Sequence, residues 1–156
     1  MGDALPMPDL GLKGKTVLVL GLGETGVSMA KWLAGQGARV RVADNRDNPP
    51  GRDALAGDPS VALHLGGFPR AAFEGVDLVA ISPGLSPRDP AFADSLEGRI
   101  DLPLLGDVEL FARYVQRAGA AHPRIAAITG TNGKTTVTAL TGAMCRAAGV
   151  DCEVAG

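Results

Sequence analysis

Hydrophobic positions fall into short runs separated by polar, glycine-rich breaks, and the form of each run predicts an element. Lys15–Leu20 (KTVLVL) is a continuous β-rich run ending at glycine, the pattern of a strand buried on both faces. From Glu24 to Ala34 the period becomes helical, with Val27, Ala30, Leu33 and Ala34 on one face and Gly35 and Gly37 closing the helix. Arg39–Ala43 (RVRVA) alternates and predicts a second strand. Asp44–Gly57 is rich in Asp, Asn, Pro and Gly, which predicts loop with at most a short helix. Val61–Leu65 and Asp77–Ser82 predict strands three and four, Ala91–Leu96 a short helix, and Leu102–Leu105 a fifth strand.

Strands alternating with helices through short connections imply an α/β fold, a parallel sheet with helices on its faces. Asp107–Arg117 (DVELFARYVQR) then predicts a helix capped by Asp107, with Val108, Phe111 and Val115 on its apolar stripe. Ala118–Pro123 reads as a hinge or loop, Arg124–Thr129 (RIAAIT) as another buried strand, Thr135–Ala148 as a helix, and Cys152–Ala155 as the start of a further strand. The plan of strand, glycine loop and helix thus occurs twice. A boundary near Gly106 would separate two α/β units, residues 1–106 and 107–156.

Composition narrows the function classes. At 46% hydrophobic and 21% charged residues the chain can bury a core, and a formal charge of −2 gives no electrostatic footprint for nucleic acid. Its two cysteines, Cys145 and Cys152, match no metal-ligand spacing and suit a reducing compartment. Met1–Leu10 has neither a signal-peptide nor a transit-peptide pattern, and Val17–Leu20 is too short to span a bilayer. A cytoplasmic protein without membrane insertion is expected.

The 22 glycines concentrate attention on two loops. Gly21-Leu22-Gly23-Glu24-Thr25-Gly26 fits G-x-G-x-x-G directly after a strand and opening a helix. Such glycines permit a tight turn and close backbone approach to a phosphate, which the helix amino terminus favours electrostatically. Asp44 ends the second strand, about where an acid would accept from a ribose hydroxyl. The loop read by itself suits a nicotinamide or flavin dinucleotide, or a turn needed only for packing.

Gly130-Thr131-Asn132-Gly133-Lys134-Thr135-Thr136 lies at a second strand-to-helix junction. Backbone N–H groups can cradle phosphates, Lys134 can neutralise the outer ones, and the Thr135 hydroxyl can ligate Mg²⁺. The pattern G-x-x-x-x-G-K-[ST] would need glycine at position 128, where this chain has Ile128, so the loop is a shortened variant. Nucleotide hydrolysis also calls for a later metal-holding acid, and only Asp151 and Glu153 follow.

GLGETG followed by GTNGKTT resembles the Mur ligases of peptidoglycan synthesis, and above all the member that adds D-glutamate to UDP-N-acetylmuramoyl-L-alanine. Ala43–Arg46 (ADNR), Ile81–Gly84 (ISPG) and Gly106–Phe111 (GDVELF) extend the resemblance over nearly the whole chain from Lys15. It implies a Rossmann-like first domain that holds a UDP-sugar, followed by the beginning of a P-loop α/β ATPase domain. Gly23, Glu24 and Thr25 would lie against the diphosphate, Asp44, Asn45 and Arg46 at the uridine end, and Ser82 and Gly84 near the muramoyl group. Gly130, Thr131, Asn132, Gly133, Lys134, Thr135 and Thr136 would bind ATP, with Lys134 on the outer phosphates and Thr135 at Mg²⁺. The implied chemistry activates the alanyl carboxylate as an acyl phosphate, which the amine of D-glutamate attacks. The family has further Mg²⁺ ligands and an amino-acid-binding third domain beyond the part matched. The chain alone is therefore expected to be inactive, to be poorly soluble through exposed sheet edges, and to derive from a monomer.

The remaining candidates have plainer readings. His64 suits a half-buried strand position, His122 has no partner in sequence, and Trp32 suits packing from the first helix. Asp107 and Glu109, two apart on a helix, point to different faces. Arg46 beside Asp44 could be a weak surface ion pair. Rival functions are a nicotinamide-dependent oxidoreductase domain, a stand-alone P-loop ATPase and a non-catalytic nucleotide-binding module.

Overall fold

A computed structural model describes residues 11–97, 101–117 and 124–155. The expected hinge at Ala118–Pro123 and the leader Met1–Leu10 fall outside the described residues. The chain divides into two compact units, residues 1–122 and 123–156.

In the first unit, β1 (Thr16–Leu20), β2 (Arg39–Asp44), β3 (Val61–Leu65), β4 (Leu78–Ile81) and β5 (Leu104–Gly106) form one sheet in the order β3-β2-β1-β4-β5. Every pairing is parallel, with Val17 opposite Val40 on one side and opposite Leu78 on the other. A parallel sheet must be covered on both faces, which accounts for the unbroken apolar runs in β1 and β4. Successive side chains of a strand point to opposite faces, and the core divides accordingly. Val17, Val19, Val40, Val42, Leu78 and Ala80 join one cluster with Met29, Ala30 and Leu33 of α1 (Glu24–Gly35). Leu18, Leu20, Val79 and Ile81 join the other with Ala72 and Phe73 of α3 (Arg70–Phe73) and Phe92 of α4 (Pro90–Leu96).

Polar contacts fix the short connections. The Asp77 carboxylate accepts from the Thr16 N–H at 2.8 Å and pairs with Lys15 at 3.2 Å, which ties the entrance of β4 to the entrance of β1. Arg41 Nη1 donates to the carbonyls of Ala71, Ala72 and Glu74, closing the carboxyl end of α3, an element absent from the sequence-based expectation. The loop after β2 contains one short helix, α2 (Arg52–Leu55), as anticipated.

Two helical expectations need correction. In α5 (Asp107–Arg117) the buried positions are Leu110 and Val115, whereas Val108 is 75% and Phe111 53% exposed. Apolar residues at 108, 110, 111, 114 and 115 permit two overlapping stripes at helical period, and contact with β4 and β5 selects the second. Asp107 is the first helical residue, and its carboxylate accepts from the Val108 N–H at 2.8 Å. Glu109 pairs with Arg113 one turn on. Trp32 packs edge-to-face on Tyr114 with ring centroids 5.2 Å apart, and His64 is half-buried in β3.

In the second unit, α6 (Lys134–Ala147) forms, but no strand is present among residues 124–155. Arg124–Thr129 and Cys152–Ala155 were both expected as strands. A strand exists only through ladder bonds to a neighbour, and a lone apolar run has none; Ile125 is 58% exposed. Both cysteines are free thiols.

The turn from β1 into α1 depends on two glycines. Gly21 has φ +90°, and a Cβ on Gly26 would run into the Gly21 carbonyl. Gly35, in the same helix, has open space around it. Gly26→Ala should destabilise the fold by about 1–3 kcal/mol through overpacking. Gly35→Ala should be neutral or add up to about 1 kcal/mol. Urea denaturation of both variants checks the contrast.

Candidate functional site

The order β3-β2-β1-β4-β5 reverses direction between β1 and β4, and in open α/β sheets the crevice at the carboxyl ends of such strands is where ligands bind. A cleft of about 570 Å³ opens there. Its walls come from three strand-to-helix turns, after β1 (Gly21, Gly23, Glu24, Thr25), β2 (Asp44, Asn45, Arg46) and β4 (Ser82, Pro83, Gly84, Leu85), with Phe68 from beyond β3. All of the expected substrate residues, Gly23, Glu24, Thr25, Asp44, Asn45, Arg46, Ser82 and Gly84, therefore line one cavity. Sequence motifs missed Phe68 and Leu85: Leu85 is the residue just past the Ile81–Gly84 motif, whereas Phe68 lies in no patterned loop and only the folding of separate turns brings it to the wall.

Gly23 caps α1 without any side-chain acceptor, so the first-turn N–H groups of the helix keep their capacity to bind an anion. The loop is pinned by its backbone. The Gly21 N–H donates to the Ala43 carbonyl at 2.8 Å, and Ser82 Oγ donates to the Gly21 carbonyl at 3.3 Å. Ser82 thereby joins the end of β4 to the glycine turn.

Asp44 is the electrostatic centre of the cleft. It is 2% exposed, yet charged. Oδ1 accepts from the Arg46 backbone N–H at 2.9 Å and from Arg46 Nε at 2.8 Å. Oδ2 accepts from Arg46 Nη2 at 2.7 Å and from the Leu22 N–H at 2.7 Å. These four bonds fill the roughly four acceptor positions of a carboxylate. Burial alone would push the Asp44 carboxyl up, but the bonds from the Arg46 side chain, the Arg46 backbone and the Leu22 backbone outweigh it and hold the pKa at about 2. The pair is a forked ion pair on a buried carboxylate, not the weak surface contact that neighbouring charges in sequence suggest. Arg46, half-exposed, keeps its remaining guanidinium N–H groups for the cleft.

The second glycine loop lies in the second unit. Gly133, at φ +76°, caps α6, again without a side-chain acceptor. Lys134 Nζ donates to the Gly130 carbonyl at 2.6 Å, closing the loop on itself. Thr131, Asn132, Thr135 and Thr136 are exposed beside it, and Thr138 Oγ1 donates to the Lys134 carbonyl at 2.8 Å. Among the described residues no cluster of three or more His, Cys, Asp or Glu could hold a metal, and no helix is long and apolar enough to cross a membrane.

The Asp44 network has a pH signature. Its folded pKa of about 2 lies below the ordinary 3.8, so its stabilisation is complete above about pH 4 and is lost as pH falls toward 2. Asp44→Asn should cost about 2 kcal/mol at pH 7 by this linkage, with the difference from the parent shrinking below pH 4. Urea unfolding of both proteins at pH 7 and pH 3 measures it.

Residues 15–102 match the family model "Mur ligase MurD-like, N-terminal domain". The UDP-N-acetylmuramoylalanine–D-glutamate ligase of Nitrosospira multiformis is 53% identical over 148 residues, covering 94% of this chain and 31% of that protein. The ligase of the same name from Methylobacillus flagellatus is 51% identical, with the same coverage. The chain thus spans about a third of the length of these curated relatives. A pseudomurein peptide ligase type C from Methanothermus fervidus superposes with a TM-score of 0.54 at 25% identity, over 87% of this chain and 27% of that one. UDP-N-acetylmuramate:L-alanyl-gamma-D-glutamyl-meso-diaminopimelate ligase from Neisseria meningitides shares the fold, with a TM-score of 0.56 at 20% identity over 87% of this chain and 40% of that one. The family match runs over strands β1 to β4 of the parallel sheet and every turn that lines the cleft: the chain belongs to the MurD-like Mur ligases, and residues 15–102 are their N-terminal domain.

Proposed function

We propose that this chain is the amino-terminal portion of a cytoplasmic, monomeric ATP-dependent ligase that joins D-glutamate to UDP-N-acetylmuramoyl-L-alanine in peptidoglycan synthesis. The observation that carries this reading is the cleft at the strand-order reversal, where the glycine turn, the Asp44–Arg46 pair and the Ser82–Gly84 turn face one cavity. Relatives that bear this activity in their names support it over nearly the whole chain.

In this reading the α1 amino terminus, at Gly23, Glu24 and Thr25, receives the diphosphate. Asn45 and Arg46 meet the uridine end, and Ser82 and Gly84 run beside the muramoyl group. Asp44 acts there by holding Arg46 in place, since its own acceptor positions are filled. The same saturation weighs against a nicotinamide site, which would need this acid to accept from a ribose hydroxyl.

The family's second domain is taken to begin near Gly106, at Asp107. Gly130, Thr131, Asn132, Gly133 and Thr136 would hold the ATP phosphates, Lys134 the outer ones, and Thr135 the Mg²⁺ ion. The uncapped start of α6 and the exposed ammonium of Lys134 suit that anion. Bound ATP supplies the phosphoryl group that activates the alanyl carboxylate. Lys134 offsets negative charge as that group moves, and the amine of D-glutamate then displaces phosphate to leave an amide. The chain alone is inactive in this account, because the amino-acid site lies in the rest of the protein.

Thermal-shift titration with UDP-N-acetylmuramoyl-L-alanine, UDP, NADH and MgATP tests the first half of the reading. At ~100 times its dissociation constant a ligand of the folded form adds roughly 2.7 kcal/mol. Stabilisation by the UDP compounds and not by NADH is expected; a response to NADH alone overturns the reading. In the whole ligase, Lys134→Ala should lower kcat at least about 100-fold, on the scale of losing one charge-stabilising donor. Stabilisation by UDP should be unchanged in that variant.

A further inference from the structure

The cleft has one aromatic wall, and no sequence motif points to it. Phe68 follows the Gly66-Gly67 turn that leaves β3, and that turn is clamped onto the end of β2. The Gly67 N–H donates to the Asp44 carbonyl at 3.0 Å, and the Gly66 N–H donates to the Arg46 carbonyl at 3.1 Å. Asp44 and Gly67 also form an isolated antiparallel bridge. These bonds hold the turn before Phe68 against the end of β2, and Phe68, Asn45 and Arg46 all line the one cavity.

The Phe68 ring is held from behind. It packs edge-to-face on Phe92, with centroids 4.9 Å apart and planes at 72°. Phe92 is itself 1% exposed in the core between the sheet and α4. A half-buried aromatic ring, braced by a core aromatic and lining a cleft that an arginine also lines, has the two properties that a planar heterocycle requires. Its apolar surface is available for stacking, and its position costs little conformational entropy on binding. Diphosphate and sugar groups offer no planar surface for such a ring; a nucleobase does.

We propose that Phe68 is the stacking wall for the nucleobase of the bound nucleotide, with Arg46 and Asn45 addressing the polar edge of the same base. The inference rests on the assignment of the cleft to a UDP-linked ligand and adds the residue that recognises its base. Loss of the ring weakens binding through the base alone and leaves the contacts to the diphosphate intact.

The test uses 5,6-dihydro-UDP, which retains the polar edge, ribose and diphosphate of UDP but has a puckered, non-aromatic ring. Isothermal titration of this chain should show UDP binding about 10-fold or more tighter than 5,6-dihydro-UDP, the scale of one base–aromatic stack. Phe68→Leu, which keeps an apolar side chain against Phe92, should bring the two ligands to nearly equal affinity. Phe68→Tyr should restore the preference. A parent chain that binds neither nucleotide overturns the UDP assignment itself, and this inference with it. A parent that binds both equally overturns the stacking role alone. A Phe68→Leu variant that keeps the preference does the same, as does one that loses affinity for both ligands in equal measure, since that marks a merely structural residue.

Discussion

The buried carboxylate of Asp44 organises the cleft at the carboxyl ends of the strands in the first unit. It sits at the tip of β2, accepts from the Leu22 N–H of the glycine turn, and holds the Arg46 guanidinium in a two-bond fork. A charge with this little exposure is tolerated only when its acceptors are satisfied, and here backbone and guanidinium donors satisfy them together. The consequence reaches beyond one ion pair. The turn after β1 cannot relax without stripping a donor from a buried charge, and Arg46 cannot swing away without doing the same. Conformation of the loop and placement of the cation are thus coupled through a single side chain.

Around that anchor the parallel sheet does the coarse positioning. Strands that all run in one direction bring their carboxyl ends to one edge, so turns distant in sequence meet there. The reversal of strand order between β1 and β4 leaves the gap between their turns uncovered. Ser82 bridges the gap by donating to the Gly21 carbonyl, and the absence of a side chain at Gly26 lets α1 start close against that carbonyl. The glycines that packing requires, Gly21 and Gly26, and those that line the cleft, Gly21 and Gly23, belong to one loop, which is why a motif that reads as phosphate binding is equally a motif of close helix–strand approach.

The second unit illustrates the dependence of strands on neighbours. Its helix forms where the sequence predicts, because helical bonds close within the segment. Its two β-like segments do not become strands, because ladder bonds must come from elsewhere in the sheet. The glycine turn before α6 still forms, closed by Lys134 on the Gly130 carbonyl, since that geometry too is local.

By itself the sequence determined whatever depends on neighbours along the chain. Apolar runs located all five strands of the sheet to within a residue or two, and glycine patterns located both helix-capping turns. Spacing also placed Asp44 at a strand end beside the first of those turns. Tertiary structure decided what depends on groups distant in sequence. It chose Leu110 and Val115 over Val108 and Phe111 as the buried face of α5, because two stripes fit the helical period and only the sheet edge distinguishes them. It turned Asp44 and Arg46 from adjacent charges into a buried, fully bonded fork by supplying the Leu22 N–H from another strand's turn. And it brought Phe68 to the cleft through backbone bonds to Asp44 and Arg46, a placement that no local pattern encodes.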